Sequence, residues 1–174
     1  LFLVTGFIVF LSTVSKAESL SKLSHNLHID PTQTSVSGLS SGAYMAMQLQ
    51  VIYSKNIMGA GIIAGGPYRC AAGKYARAWS DFTGMYAMLN VCMHANPVSW
   101  WPRPTLDVEF SIRETERLAA ANLIDDPSNL SKQKIWMFSG AKDTLIPTTV
   151  MNTLQTYYQQ YIPAANISYV KNAN

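Results

Sequence analysis

Charge is scarce in this 174-residue chain: 13 Lys and Arg against 10 Asp and Glu, 13% of the sequence in all, leave a formal net charge of +3. The charges are scattered, which excludes the clustered cationic footprint of a nucleic-acid-binding protein. Histidine is scarcer still, with three. Two of them, His25 and His28, do not make a convincing ligand set even when taken with Asp30, so a solvated N-terminal segment is the reading and neither a metal nor an organic cofactor is expected. No apolar run reaches the roughly 20 residues that a spanning helix needs, so no stable membrane anchor is expected. There is no internal repeat and no low-complexity linker.

Cysteine is limited to Cys70 and Cys92. An even count suits an oxidising compartment, where the two pair and close a loop worth about 3 kcal/mol in the chain-entropy model; two buried free thiols are the alternative. Oxidising surroundings fit the N-terminus. Leu1-Phe2-Leu3-Val4-Thr5-Gly6-Phe7-Ile8-Val9-Phe10-Leu11 is an apolar run followed by the small-residue pattern Ser15-Lys16-Ala17. That is the pattern of a signal-peptide core and cleavage site, so residues 1–17 are expected to be removed and the protein to be secreted, extracellular or periplasmic. No Met or basic segment precedes Leu1, and the true N-terminus is expected upstream.

Hydrophobic residues at 48% provide for a globular core, and one domain is expected over residues 18–174. Its most informative stretch is Gly38-Leu39-Ser40-Ser41-Gly42. A serine flanked by glycines two positions away is how a sharp strand-to-helix turn exposes a nucleophile, the glycines at Gly38 and Gly42 being expected to avoid a collision where the two elements cross. The context agrees. Thr34-Ser35-Val36-Ser37 reads as a strand end, and residues 43–53 lack Gly and Pro and read as a helix.

Further along, residues 58–66 are a small, apolar run bounded by glycine and Pro67, as a buried parallel strand should be. Residues 134–140 read as a second such strand, residues 148–161 as a helix after Pro147, and residues 167–170 as the next strand. Strand and helix alternate, so the expected fold is α/β, a mostly parallel sheet with right-handed crossovers flanked by helices. Residues 68–104 break the pattern with Trp79, Trp100, Trp101 and both cysteines, and read as an insertion. Residues 109–121 read as a charged helix whose Arg113, Glu114, Glu116 and Arg117 face solvent.

A serine hydroxyl needs a histidine to take its proton and an acid to orient that imidazole. In α/β-hydrolases these follow the serine in the order acid, then histidine, on loops at the carboxyl edge of the sheet. Asp143 fits the acid, lying just beyond the strand at residues 134–140, whereas Asp125 and Asp126 before Pro127 read as turn residues. No histidine follows Asp143. The base is expected a few residues beyond Asn174, in the loop after the last strand; His94 would require a different chain order. The backbone N–H of Ser41 is expected to serve the oxyanion.

Ser37-Gly38-Leu39-Ser40-Ser41-Gly42-Ala43-Tyr44-Met45-Ala46, together with Gly59-Ala60-Gly61-Ile62-Ile63-Ala64-Gly65-Gly66-Pro67-Tyr68, closely resembles secreted poly(3-hydroxybutyrate) depolymerases. The resemblance continues through Ile124-Asp125-Asp126-Pro127 and Ser139-Gly140-Ala141-Lys142-Asp143, covering residues 30–174. It implies a secreted serine esterase of α/β-hydrolase type acting on short-chain polyhydroxyalkanoates, with Ser40 as nucleophile, Asp143 as triad acid, a histidine after the last strand and no cofactor. Tyr68, Trp79, Trp100 and Trp101 are candidates for lining a polyester-binding crevice. A small-ester or lipid esterase and a non-catalytic secreted binding protein are the competing readings. Without its histidine the 174-residue piece is expected to be inactive, as a fragment incomplete at the C-terminus.

Overall fold

The computed structural model describes residues 28, 30–72, 88–93 and 106–173. Contacts divide the chain into Leu1–Pro31 and Thr32–Asn174, and the sheet with its helices belongs to the second unit. Residues 1–17, expected as a signal peptide, and His25, His94, Trp79, Trp100 and Trp101 lie outside the described residues.

Strands and helices alternate as β1 (Thr34–Leu39), α1 (Ser41–Ile52), β2 (Ile57–Ile63), α2 (Val108–Ala120), β3 (Lys134–Gly140), α3 (Thr148–Tyr161) and β4 (Ile167–Ala173). The four strands run parallel in the order β1-β2-β3-β4. Parallel neighbours need crossover connections, and successive crossovers of one hand that step in one direction put their helices on one face. That face holds the core. Ala43, Met47 and Val51 of α1, Val150, Met151, Leu154, Tyr157 and Tyr158 of α3 and Leu118 of α2 pack with Ala60, Ile62, Ile135 and Met137 of the sheet. Along β3 buried and more exposed side chains alternate between the two faces. The opposite face carries Leu39, Trp136 and Val170, all 40% exposed or more, with Trp136 stacked on Phe138 at 6.1 Å between ring centroids.

Local sequence sets the helix starts. Asp107 opens α2 by accepting from the Phe110 N–H at 3.1 Å, a capping carboxylate on an otherwise orphaned donor. Pro147 precedes α3, whose first residue Thr148 shares a 3.0 Å hydrogen bond with Ser139 at the end of β3. Between α1 and α3 lies a buried polar chain: Tyr158 donates to Gln50 Oε1 at 2.7 Å, Gln50 Nε2 to Gln133 Oε1 at 2.7 Å, and Gln133 Nε2 to the Ser54 carbonyl at 2.9 Å. Each side chain of this chain finds a partner within an otherwise apolar interface.

Two expectations need correction here. Tyr68 is 2% exposed and belongs to the core, so it does not line a crevice. The α2 face is only partly solvated: Glu114 pairs with Arg69 at 3.2 Å as well as with Arg117 at 2.9 Å, and Glu116 accepts from the Tyr161 hydroxyl at 2.9 Å. Both partners outside α2, Arg69 and Tyr161, are distant in sequence. Cys70 and Cys92 form a disulfide with a Cα–Cα distance of 5.6 Å, and both are buried.

Candidate active site

The strand-to-helix turn after β1 is built around Ser40, whose backbone sits at φ 54°, ψ −121°. That region is strained for a residue with a side chain and persists only where the surroundings impose it. Two ladder bonds impose it. The Ser40 N–H donates to the Ile63 carbonyl at 2.9 Å, which continues the β1–β2 pairing one step past Leu39, and the Ser40 carbonyl accepts from the Tyr44 N–H at 3.0 Å, the first bond of α1. Ser40 is therefore the last residue of a strand and the cap of a helix at once. Its side chain is exposed and makes no hydrogen bond to the described residues.

The two glycines of the motif differ in kind. A methyl built on Gly38 would overlap the carbonyl of Gly42 and lie 2.6 Å from the Ala43 nitrogen, so helix and strand cross too closely there for any side chain. A methyl on Gly42 would meet nothing within 4 Å. The expectation that both glycines avoid a collision thus holds for Gly38 and fails for Gly42, because Gly42 lies in the first turn of α1 and points away from β1.

The first N–H groups of a helix have no intrahelical partner and carry the positive end of its dipole. Ser41 opens α1, so its N–H stands immediately beside Ser40, where an anion formed at the serine would be stabilised.

Asp143 follows β3 at the same edge of the sheet. One of its oxygens, Oδ1, accepts from the Leu145 N–H at 3.0 Å and the Ile146 N–H at 2.9 Å, while its own N–H donates to Gly140 at 3.3 Å. These bonds fix the carboxylate as the loop folds and leave Oδ2 without a partner among the described residues. β1 and β3 flank β2, so Ser40 and Asp143 rise from strands two spacings, about 10 Å, apart. An imidazole with a hydrogen bond at each nitrogen spans that separation once both side chains reach inward. Ala173 pairs with Gly140, so β4 ends at this edge of the sheet, near the start of the Asp143 loop.

Asp125 and Asp126 are engaged elsewhere. Asp125 accepts from the Lys55 N–H at 3.0 Å, and Asp126 from the Ser128 N–H at 2.8 Å at the start of the short Pro127–Lys132 helix. His28 is exposed and has a positive φ of 52°. No group of three His, Cys, Asp or Glu among the described residues is arranged to hold a metal ion. No helix among them is long and apolar enough to cross a membrane.

One residue escaped the sequence reading. Tyr44, one turn into α1, lies against Gly66, where a methyl would stand 2.5 Å from Tyr44 Cε1 and 2.8 Å from its hydroxyl. The hydroxyl donates to the carbonyl of Cys92. Burial, and in second place the Asp143 carboxylate, push its pKa well above the ordinary tyrosine range, so it remains a donor. An aromatic residue in an apolar helix reads as core, and only the tertiary position of Cys92 reveals its polar task.

A strained serine between strand and helix, at the carboxyl edge of a parallel sheet with an acid loop two strands away, defines an α/β-hydrolase. No family model matches the chain. It is 44% identical over 146 residues to the poly(3-hydroxybutyrate) depolymerase of Delftia acidovorans, which covers 83% of this chain and 26% of that protein. With the polyhydroxybutyrate depolymerase of Talaromyces funiculosus it shares 35% over 144 residues, 82% of this chain and 36% of that one. Among solved structures, PHB depolymerase from Penicillium funiculosum superimposes with a TM-score of 0.64 at 34% identity, over 82% of this chain and 38% of that chain. A PHB depolymerase carrying a serine-to-alanine substitution and complexed with an R3HB trimer gives 0.64 at 33% identity. The chain belongs to the poly(3-hydroxybutyrate) depolymerase family, and it spans about a quarter to two-fifths of these relatives' own length.

Proposed function

We propose that this chain is the nucleophile-bearing part of a secreted serine esterase that cleaves poly(3-hydroxybutyrate), or related short-chain polyhydroxyalkanoates, through an acyl-enzyme. The observation that carries the reading is the strained, outward-facing Ser40 on its strand-to-helix turn, in a chain 44% identical to a poly(3-hydroxybutyrate) depolymerase.

In this mechanism Ser40 Oγ attacks the ester carbonyl as a histidine takes its proton. The base would lie in the loop after β4, and β4 ends near the start of the Asp143 loop. Asp143 Oδ2 holds the imidazole and stabilises its charged form, while Oδ1 stays tied to the Leu145 and Ile146 amides. The negative charge on the tetrahedral oxygen is met by the Ser41 N–H at the start of α1. Collapse expels the 3-hydroxyalkanoate alkoxide, which leaves with the histidine's proton, and water then attacks the acyl-Ser40 ester by the same route in reverse. The chemistry calls for no metal and no organic cofactor.

Secretion is supported by the Leu1-to-Ala17 pattern and by the buried Cys70–Cys92 bridge, which an oxidising compartment maintains. The substrate class is tested by comparing release of 3-hydroxybutyrate from an insoluble polyester film with release of butyrate from a soluble ester by the full-length protein. A polyester depolymerase works on the film. Activity confined to the soluble ester would make it a small-ester esterase, and activity on neither would favour a binding protein.

A further inference from the structure

We propose that Tyr44 is a positioning residue: from the first turn of α1 its hydroxyl holds the Met88–Cys92 turn beside the nucleophile, so that Tyr44 and the Cys70–Cys92 bridge act as one clamp on the site. The inference rests on the reading of Ser40 as nucleophile.

Tyr44 is tied to Ser40 by backbone, its N–H donating to the Ser40 carbonyl at 3.0 Å. Its ring has a fixed seat, because the bare backbone of Gly66 beyond β2 leaves the space the ring fills. Packing alone would be served equally by Phe. The hydroxyl is needed for one thing, the Cys92 carbonyl; a backbone carbonyl removed from water requires a donor.

Cys92 is in turn bonded to Cys70, and the Cys70 side has its own anchor. Arg69 reaches Glu114 on α2 at 3.2 Å, and the Cys70 N–H donates to the Pro67 carbonyl at 3.3 Å. Arg69 adopts a left-handed φ of 53°, a strained conformation for a residue with a side chain, held between that ion pair and the Ala72 N–H that its carbonyl accepts at 2.7 Å. The bridge therefore runs from the nucleophile helix to α2, with Tyr44 at one end and Glu114 at the other. The disulfide fixes the two turns to each other, and Tyr44 fixes the pair to Ser40.

The test compares the full-length protein with its Tyr44→Phe and Gly66→Ala variants. Two readouts are independent of each other. The first is the rate at which dithiothreitol opens Cys70–Cys92, followed by alkylation and mass measurement, which needs no catalysis. Tyr44→Phe should open roughly 2- to 10-fold faster, the range corresponding to one buried hydrogen bond, with a correspondingly small drop in melting temperature. Gly66→Ala, which unseats the ring, should do the same. The second is steady-state hydrolysis. Because the clamp touches no reacting atom, Tyr44→Phe should raise KM on the polyester several-fold with kcat on a soluble ester nearly unchanged, and prior reduction of the disulfide should add little further in that variant.

An unchanged opening rate in Tyr44→Phe overturns the clamp, as do losses from reduction and from the substitution that simply multiply. Hydrolysis that survives Ser40→Ala would instead remove the nucleophile reading, while the opening rate still decides whether the clamp exists.

Discussion

Gly38 crosses the backbone of Gly42 so closely that a methyl on Gly38 would overlap the Gly42 carbonyl, whereas a methyl on Gly42 would meet nothing. The motif that looks symmetrical in sequence is one-sided in space.

Gly38→Ala should therefore force β1 and α1 apart and destabilise the protein by about 3 kcal/mol or more, by the overpacking and backbone strain it introduces. Gly42→Ala, in the first turn of a helix, should leave stability unchanged or raise it by about 0.5 to 1 kcal/mol. Urea denaturation of the two variants separates them, and equal losses would contradict the geometry.

Asp143→Asn keeps an acceptor for the Leu145 and Ile146 amides and should fold normally. As triad acid it would nonetheless present the wrong partner to the imidazole, and kcat should fall about ten-thousand-fold. A loss below tenfold, measured on a soluble ester with the full-length protein, would make Asp143 a turn residue only.

The buried chain Tyr158–Gln50–Gln133 gives a stability prediction unrelated to catalysis. Gln50→Leu strands both the Tyr158 hydroxyl and the Gln133 amide inside the protein and should cost about 2 to 4 kcal/mol. Tyr158→Phe strands only the Gln50 oxygen and should cost about 1 to 2 kcal/mol. Thermal melts rank the two.

The acid limb of stability should report Glu114. The Arg117 hydrogen bond, helped by the charges of Arg117 and Arg69 and opposed by partial burial, holds its carboxyl below the usual carboxylate range. A group depressed in the folded state stabilises it above its unfolded pKa and loses that contribution as pH falls through the folded value. Glu114→Gln should therefore lower stability at neutral pH, where the ionised carboxylate contributes in full, and flatten its decline on acidification. A decline as steep as the wild type's would show that other carboxylates govern the acid limb.

What could be read from sequence followed local rules. β3 and α3 match their expected bounds because an apolar run of strand length and a proline before a helix act over a few residues. α1 begins two residues earlier than expected, at Ser41, since the glycine pair gave no reason to start the helix inside the motif. Long-range partners were invisible. Glu114 looked solvated until Arg69 reached it, Tyr68 looked like a binding aromatic until the core enclosed it, and the task of Tyr44 exists only where the fold delivers the Cys92 carbonyl. The strand-to-helix turn at Ser40 and the loop at Asp143 were legible as local structure because each carries its own local signature, whereas the contact of Tyr44 was illegible because its signature is tertiary.

The most direct test is release of 3-hydroxybutyrate from amorphous poly(3-hydroxybutyrate) by the full-length protein and its Ser40→Ala variant. If Ser40 is the nucleophile, the parent hydrolyses the polymer and Ser40→Ala loses on the order of a million-fold in kcat while still folding. Hydrolysis by Ser40→Ala within tenfold of the parent would contradict the assignment.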